Sequence, residues 1–184
     1  RGFASPSTHH NLPWISELNI DYDISTYDTD PFEPHPCGTG RIFPYWVQSP
    51  TGEGHGFVEM PYTLPQDFTL FILMREQTNE IWRKKLDWIA QKGGMALVKT
   101  HPDYMAFHEA DKRRDRFPVD FYTEFLDYAR ARYGKEVWSA LPSEVARYWR
   151  SLCFTDAGVS NVIPPRETLC TTCRQALIAG WLNH

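Results

Sequence analysis

Thr100-His101-Pro102-Asp103 closes an apolar run that begins at Met95, and it places an imidazole and a carboxylate where a buried strand hands over to its loop. Histidine is the side chain whose ordinary proton equilibrium lies nearest neutrality, so a histidine there can pass a proton to or from a ligand. A histidine that only caps the strand end by hydrogen bonding explains the position equally well. The other groups with chemical potential are less organised. His9-His10 are adjacent, which turns them to opposite faces of a strand or about 100° apart on a helix, so the pair chelates poorly as a unit. One of them, His10, could line a pocket floor. Cys170 and Cys173 form a lone C-x-x-C without the second pair or the spaced histidines that a structural zinc site needs. Lys112-Arg113-Arg114 and Arg116 are interleaved with Asp111 and Asp115, the pattern of a solvated surface.

The elements that must position His101 follow from local pattern. Asn11 caps a short helix through Leu18, with Pro13 tolerated in its first turn. Asn19 to Tyr27 alternates Ile20, Tyr22, Ile24 and Thr26 with Asp21, Asp23 and Ser25, which predicts a strand with its acids on one face. Residues 28–56 read as a long ordered loop, rich in proline, with Phe32, Phe43, Tyr45 and Trp46 between the prolines. A strand is expected over Gly56–Tyr62, and an apolar segment of unassigned class over Phe68–Met74. Asn79 heads a helix from Glu80 to Lys92 that Gly93-Gly94 ends. The strand at Met95–Thr100 precedes His101. A second long helix covers Val119–Tyr133, a strand Val137–Leu141, and Ser143 is placed to cap a helix over Glu144–Tyr148. Alternating strands and helices make an α/β fold with a parallel sheet or barrel, in which ligands gather at the carboxyl ends of the strands.

Composition narrows the function. The 184 residues are 42% hydrophobic and 15% aromatic, enough to bury a core. Nineteen basic against twenty-three acidic residues leave a net charge of -4, so no basic field exists for nucleic acid or anionic lipid. No apolar run approaches the roughly 20 residues of a membrane helix. Four cysteines at uneven spacing are read as reduced thiols, which tilts towards a cytoplasmic setting without fixing the compartment.

Four stretches resemble, in order and spacing, the C-terminal half of polysaccharide deacetylases of the NodB homology type, carbohydrate esterase family 4. They are Ala4-Ser5-Pro6-Ser7-Thr8-His9-His10-Asn11, Tyr22-Asp23-Ile24-Ser25-Thr26-Tyr27-Asp28, Glu59-Met60-Pro61-Tyr62 and Thr100-His101-Pro102-Asp103-Tyr104. The resemblance implies part of a distorted (β/α) barrel lacking its N-terminal strands over residues 1–150, with 151–184 a tail or the start of a further segment. It implies a hydrolase that removes an acyl group, acetyl in the family, from an N-acylated sugar or polysaccharide. A divalent metal, zinc above all, would be held by an Asp and two His expected upstream of this chain. His101 matches the general acid, and Asp23 and Asp28 are the candidates for its carboxylate partner. Trp46, Tyr45, Met60 and Tyr62 would line a groove for sugar rings. Two departures stand out: Ala4 replaces a base-steadying arginine, and Lys99 replaces an apolar wall for the acetyl methyl. They leave open a carbohydrate-binding barrel without catalysis, or a fragment without activity of its own.

Overall fold

The computed structural model describes residues 1–5, 11–30, 38–50, 52, 55–111, 113–155, 158–159 and 177–180. Its strands are short and mostly parallel. β1 (Gly2–Phe3), β2 (Tyr22–Asp23) and β4 (Gly56–Glu59) pair in parallel, and β3 (Tyr45–Gln48) closes this sheet antiparallel to β4. β3 lies inside the stretch read as loop. Pro44 and Pro50 flank it, and they mask a four-residue strand whose hydrogen bonds are supplied by β4. The long alternation predicted from Asn19 contracts to two residues of ladder and an isolated bridge from Tyr27 to Tyr62.

Thr63 joins this sheet to the next strand, β5 (Met95–Val98). Its backbone N–H donates to the Leu97 carbonyl at 3.0 Å, its hydroxyl donates to the Met95 carbonyl at 2.8 Å, and the same hydroxyl accepts the Leu97 N–H. β8 (Trp138–Ser139) and β11 (Leu177–Gly180) complete a parallel sheet in the order β5, β11, β8, so a strand from the last residues of the chain lies between two from its middle. β6 (Met105–Ala106) pairs in parallel with β7 (Phe117–Pro118), and β9 (Phe154–Thr155) antiparallel with β10 (Gly158–Val159). The described residues form a mixed α/β fold with partly parallel sheets and no closed barrel.

β5 is apolar throughout because it is buried on both faces. Alternation turns Ala96 and Val98 towards a core built with Trp82, Leu86 and Ile89 of α2 (Glu80–Lys92) and Phe125 and Ala129 of α3 (Asp120–Tyr133). Met95 and Leu97 face a second core with Val58, Met60, Tyr62 and, from α4 (Pro142–Cys153), Val145, Ala146 and Trp149. Trp82 is fully buried at the centre of the first core, edge-on to Phe71 with ring centroids 5.0 Å apart, and its indole N–H donates to the Pro65 carbonyl.

The helix ends show which local signals act. α2 stops at Gly93, whose φ of 70° is the left-handed conformation that glycine adopts without a Cβ clash. Asn79 gives no cap bond and instead donates its amide to the Phe121 carbonyl, tying α2 to the start of α3. α1 (Leu12–Ile15) is capped by Asn11 as expected, but ends earlier. α4 starts at Pro142 and not after Ser143, with the Glu144 carboxylate accepting the Leu141 N–H, and it runs on to Cys153 because Trp149 and Cys153 continue its buried face. No described helix is long and apolar enough to cross a membrane.

Candidate functional site

His101 leaves β5 in extended conformation, φ -128° and ψ 112°, as a residue before proline is constrained to do. Pro102 opens a single 3₁₀ turn, Pro102–Tyr104, that brings Tyr104 back edge-on to the imidazole with centroids 5.4 Å apart. On the other side stands Asp67, entirely buried at the head of a π-helical turn, Phe68–Leu73. Its Oδ2 accepts the His101 backbone N–H at 2.6 Å and its Oδ1 meets His101 Nδ1 at 2.7 Å, while the Phe68 N–H donates to Oδ1 at 2.8 Å. A carboxylate can only accept, so Nδ1 carries the proton in this pair and Nε2 is left for a ligand. The imidazole is one-third exposed, so a ligand can reach it.

Asp67 is therefore the carboxylate partner, and the expectation that Asp23 or Asp28 fills that role is corrected. Asp28 is buried elsewhere, in an ion pair with Lys85 at 2.6 Å, and its backbone N–H donates to the Tyr62 carbonyl. Asp23 is the direct cross-strand partner of Glu59 between β2 and β4. Its oxygens accept the Ser25 hydroxyl at 2.7 Å and the Ser25 N–H at 3.2 Å. Both carboxyls of the Asp23 and Glu59 pair are fully buried. Burial first, then the Asp23 charge and a hydrogen bond with Asp23, hold the Glu59 carboxyl well above its ordinary value. Oε1 of Glu59 accepts the Thr26 N–H and hydroxyl; Oε2 has no donor of its own, so a proton on Glu59 aimed at Asp23 is the arrangement that satisfies both groups.

Nothing in the local sequence links Asp67 to His101, which lies 34 residues away. Its one local signal is a carboxylate immediately before an apolar run, the pattern of a helix cap.

The carboxyl ends of β1, β2, β4 and β5 converge on a pocket of about 90 Å³ lined by Ala4, Ile24, Tyr62, Leu97, Val98, Lys99 and Thr100. Its lining ends one residue before His101. Lys99 Nζ stands 5.7 Å from the Tyr62 ring centroid, at cation–π range. No protein-family model, curated protein or solved structure matches the chain.

The pocket brings Tyr62 and Lys99 together and leaves the other expected groove residues apart. Met60 is sealed in the core. Tyr45 lies on β3 opposite Glu59, and burial, reinforced by the Glu59 charge, pushes its hydroxyl up to about 12. Trp46 packs its ring edge-on to Phe154 at 4.7 Å and beneath Arg150, on the α4 side. His10, Cys170 and Cys173 lie outside the described residues.

The described residues offer no group of three or more His, Cys, Asp or Glu arranged to hold a metal ion. Each buried carboxylate near the site is already committed: Asp67 to His101, Asp28 to Lys85, Asp23 to Glu59 and Ser25. These residues do not fit an ion, and no step is assigned through one. A larger pocket, about 290 Å³, opens between Arg1, Asp21 and α4 residues Ser143, Arg147 and Arg150. Arg1 and Asp21 precede β1 and β2, so it lies at the amino ends of the strands, away from the convergence of βα loops where parallel-sheet proteins bind ligands.

Proposed function

We propose that the chain carries the proton-transfer part of a hydrolase resembling polysaccharide deacetylases, acting on the amide of an N-acylated sugar or polysaccharide, within a distorted (β/α) barrel of which these strands are a portion. The observation that carries the reading is the buried Asp67 carboxylate bonded to Nδ1 of a partly exposed His101 at the carboxyl end of β5. Asp67 fixes the ring plane and keeps the Nδ1 proton; in the imidazolium form Nε2 also carries a proton and delivers it to the nitrogen that leaves as the C–N bond breaks, which returns the ring to the neutral Nδ1–H form. The resemblance implies a divalent ion held by an Asp and two His upstream of these residues.

The test is turnover of chitooligosaccharides by the longer protein that the resemblance implies. His101→Ala should lower kcat by about 10²–10⁴-fold, the range of a lost general acid, with little change in KM. Wild-type turnover in that variant would refute the role.

Lys99 and Ala4 in the pocket wall favour a second reading, a carbohydrate-binding barrel without catalysis. Calorimetric binding of an N-acetyl sugar that is unaffected by chelator, with no turnover, would select it.

A further inference from the structure

We propose that the pocket at the amino ends of β1 and β2 binds the phosphate group of a small phosphorylated molecule through the guanidiniums of Arg1, Arg147 and Arg150. The site is independent of His101 and of the hydrolase reading. One wall follows from helical spacing: Ser143 of α4 is followed at i+3, i+4 and i+7 by Ala146, Arg147 and Arg150, which puts all four on one side of the helix. Ala146 is buried, Arg147 and Arg150 stay exposed beside it, and Arg1 and Asp21 line the other side. The Arg150 guanidinium lies 5.5 Å from the Trp46 ring centroid and 5.9 Å from that of Phe154. A guanidinium stacked on rings has lost part of its rotamer freedom before a ligand arrives, and it keeps its N–H edge for an acceptor.

Charge selects the ligand. The pocket holds three guanidiniums and one carboxylate, and that carboxylate, Asp21, already accepts a hydrogen bond from the Arg1 backbone nitrogen. Elsewhere Arg83 and Arg132 meet carboxylates at 3.7 Å, whereas none of these three guanidiniums is ion-paired among the described residues. A phosphate monoester brings about -1.5 to -2 charges near pH 7 and three acceptor oxygens, which forked arginines bind in pairs. A carboxylate offers less charge and fewer acceptors, and a neutral sugar offers no charge. An extended polyanion needs a broad basic field, which a net charge of -4 does not supply. The volume of about 290 Å³ equals about ten waters at roughly 30 Å³ each. That is room for the phosphate and a monosaccharide-sized remainder, whose hydroxyls find partners in the Ser143 hydroxyl and the Asp21 carboxylate.

The experiment is calorimetric titration of the full chain with glucose 6-phosphate, inorganic phosphate and glucose, in wild type, Arg147→Gln, Arg150→Lys and Arg130→Gln, each first shown to unfold cooperatively in urea. Arg147 is exposed, so its replacement leaves the core intact; Arg130 is an exposed arginine of α3 outside the pocket and controls for diffuse charge attraction. Wild type should bind glucose 6-phosphate saturably at one site, inorganic phosphate more weakly, and glucose not at all. Arg147→Gln should weaken binding of the ester about tenfold or more, the effect of one hydrogen bond between charged groups. Arg150→Lys keeps the charge but loses the fork and should also weaken it, whereas Arg130→Gln should leave it unchanged. No saturable binding of the ester, equal losses in Arg147→Gln and Arg130→Gln, or glucose bound as tightly as its phosphate would each overturn the site. Inorganic phosphate bound as tightly as the ester would overturn the phosphorylated molecule in favour of the free ion.

Discussion

Asp67 holds His101 by both its backbone and its ring, with Oδ2 on the main-chain N–H at 2.6 Å and Oδ1 on Nδ1 at 2.7 Å. One carboxylate thereby fixes the path of the chain as it leaves β5 and the orientation of the imidazole that β5 presents. Stability and site geometry are coupled through a single buried group.

Asp67→Ala removes the acceptor for two backbone N–H groups and the ring. Unfolding free energy should fall by about 2–4 kcal/mol, since each orphaned donor costs about 1–3 kcal/mol and the imidazole can still find water. Asp67→Asn keeps one acceptor and should lose about half as much. Urea denaturation checks both, and a loss below about 0.5 kcal/mol in the alanine variant would mean that the clamp is not formed in solution.

Glu59 predicts a pH dependence of definite sign. Its carboxyl is held above its ordinary value by burial and by Asp23, so the folded state keeps a proton that the unfolded chain releases. The stability this proton confers is fully present below the ordinary glutamate range and is lost as pH rises through the folded-state value, at about 1.4 kcal/mol per pH unit within that window. In Glu59→Gln the amide donates to Asp23 at every pH. Urea midpoints from about pH 5 to about pH 8 should fall more steeply in wild type than in this variant; parallel curves would place the proton elsewhere.

Local signals foretold the helices, and non-local ones built the site. α2 was legible to the residue because its apolar spacing, its first-turn Glu80 and Gly93 all act within the segment. β5 was legible because a strand buried on both faces has no polar positions. β3 was not, since prolines bracket it and only β4 makes it a strand. His101 was found from its place at a strand end, but its partner was not, because a carboxylate 34 residues away announces nothing in the intervening sequence. Asp23 is a candidate partner of His101 only through the resemblance; that it faces Glu59 follows from strand register, which only the fold supplies.

Trp82 tests the core behind the site. Its ring is fully buried against Phe71 and Phe125, and its N–H satisfies the Pro65 carbonyl, one residue from Gln66 and two from Asp67. Trp82→Phe should cost about 1.5–3 kcal/mol from lost volume and an unpaired carbonyl, and Trp82→Ala about 3–5 kcal/mol. Denaturant unfolding should reproduce that order; a phenylalanine variant as stable as wild type would show that the carbonyl is satisfied another way.

Lys85 and Asp28 connect α2 to the segment after β2, and their burial decides what each single change does. Asp28 is 8% exposed and Lys85 24%, with the ammonium also 4.7 Å from the Trp88 ring centroid. Lys85→Met leaves a buried carboxylate unpaired, which should cost about 2–4 kcal/mol, less than the deepest pairs because the lysine side retains some water. Asp28→Asn leaves an ammonium that can turn outward, so its loss should be smaller. The double variant Asp28→Asn with Lys85→Met buries no charge and should lie close to the milder single, giving a coupling energy of about 1–3 kcal/mol in a double-mutant cycle. Additive losses would mean that the two groups stabilise the fold independently, through the Trp88 contact and the Asp28 backbone bonds, and not as an ion pair.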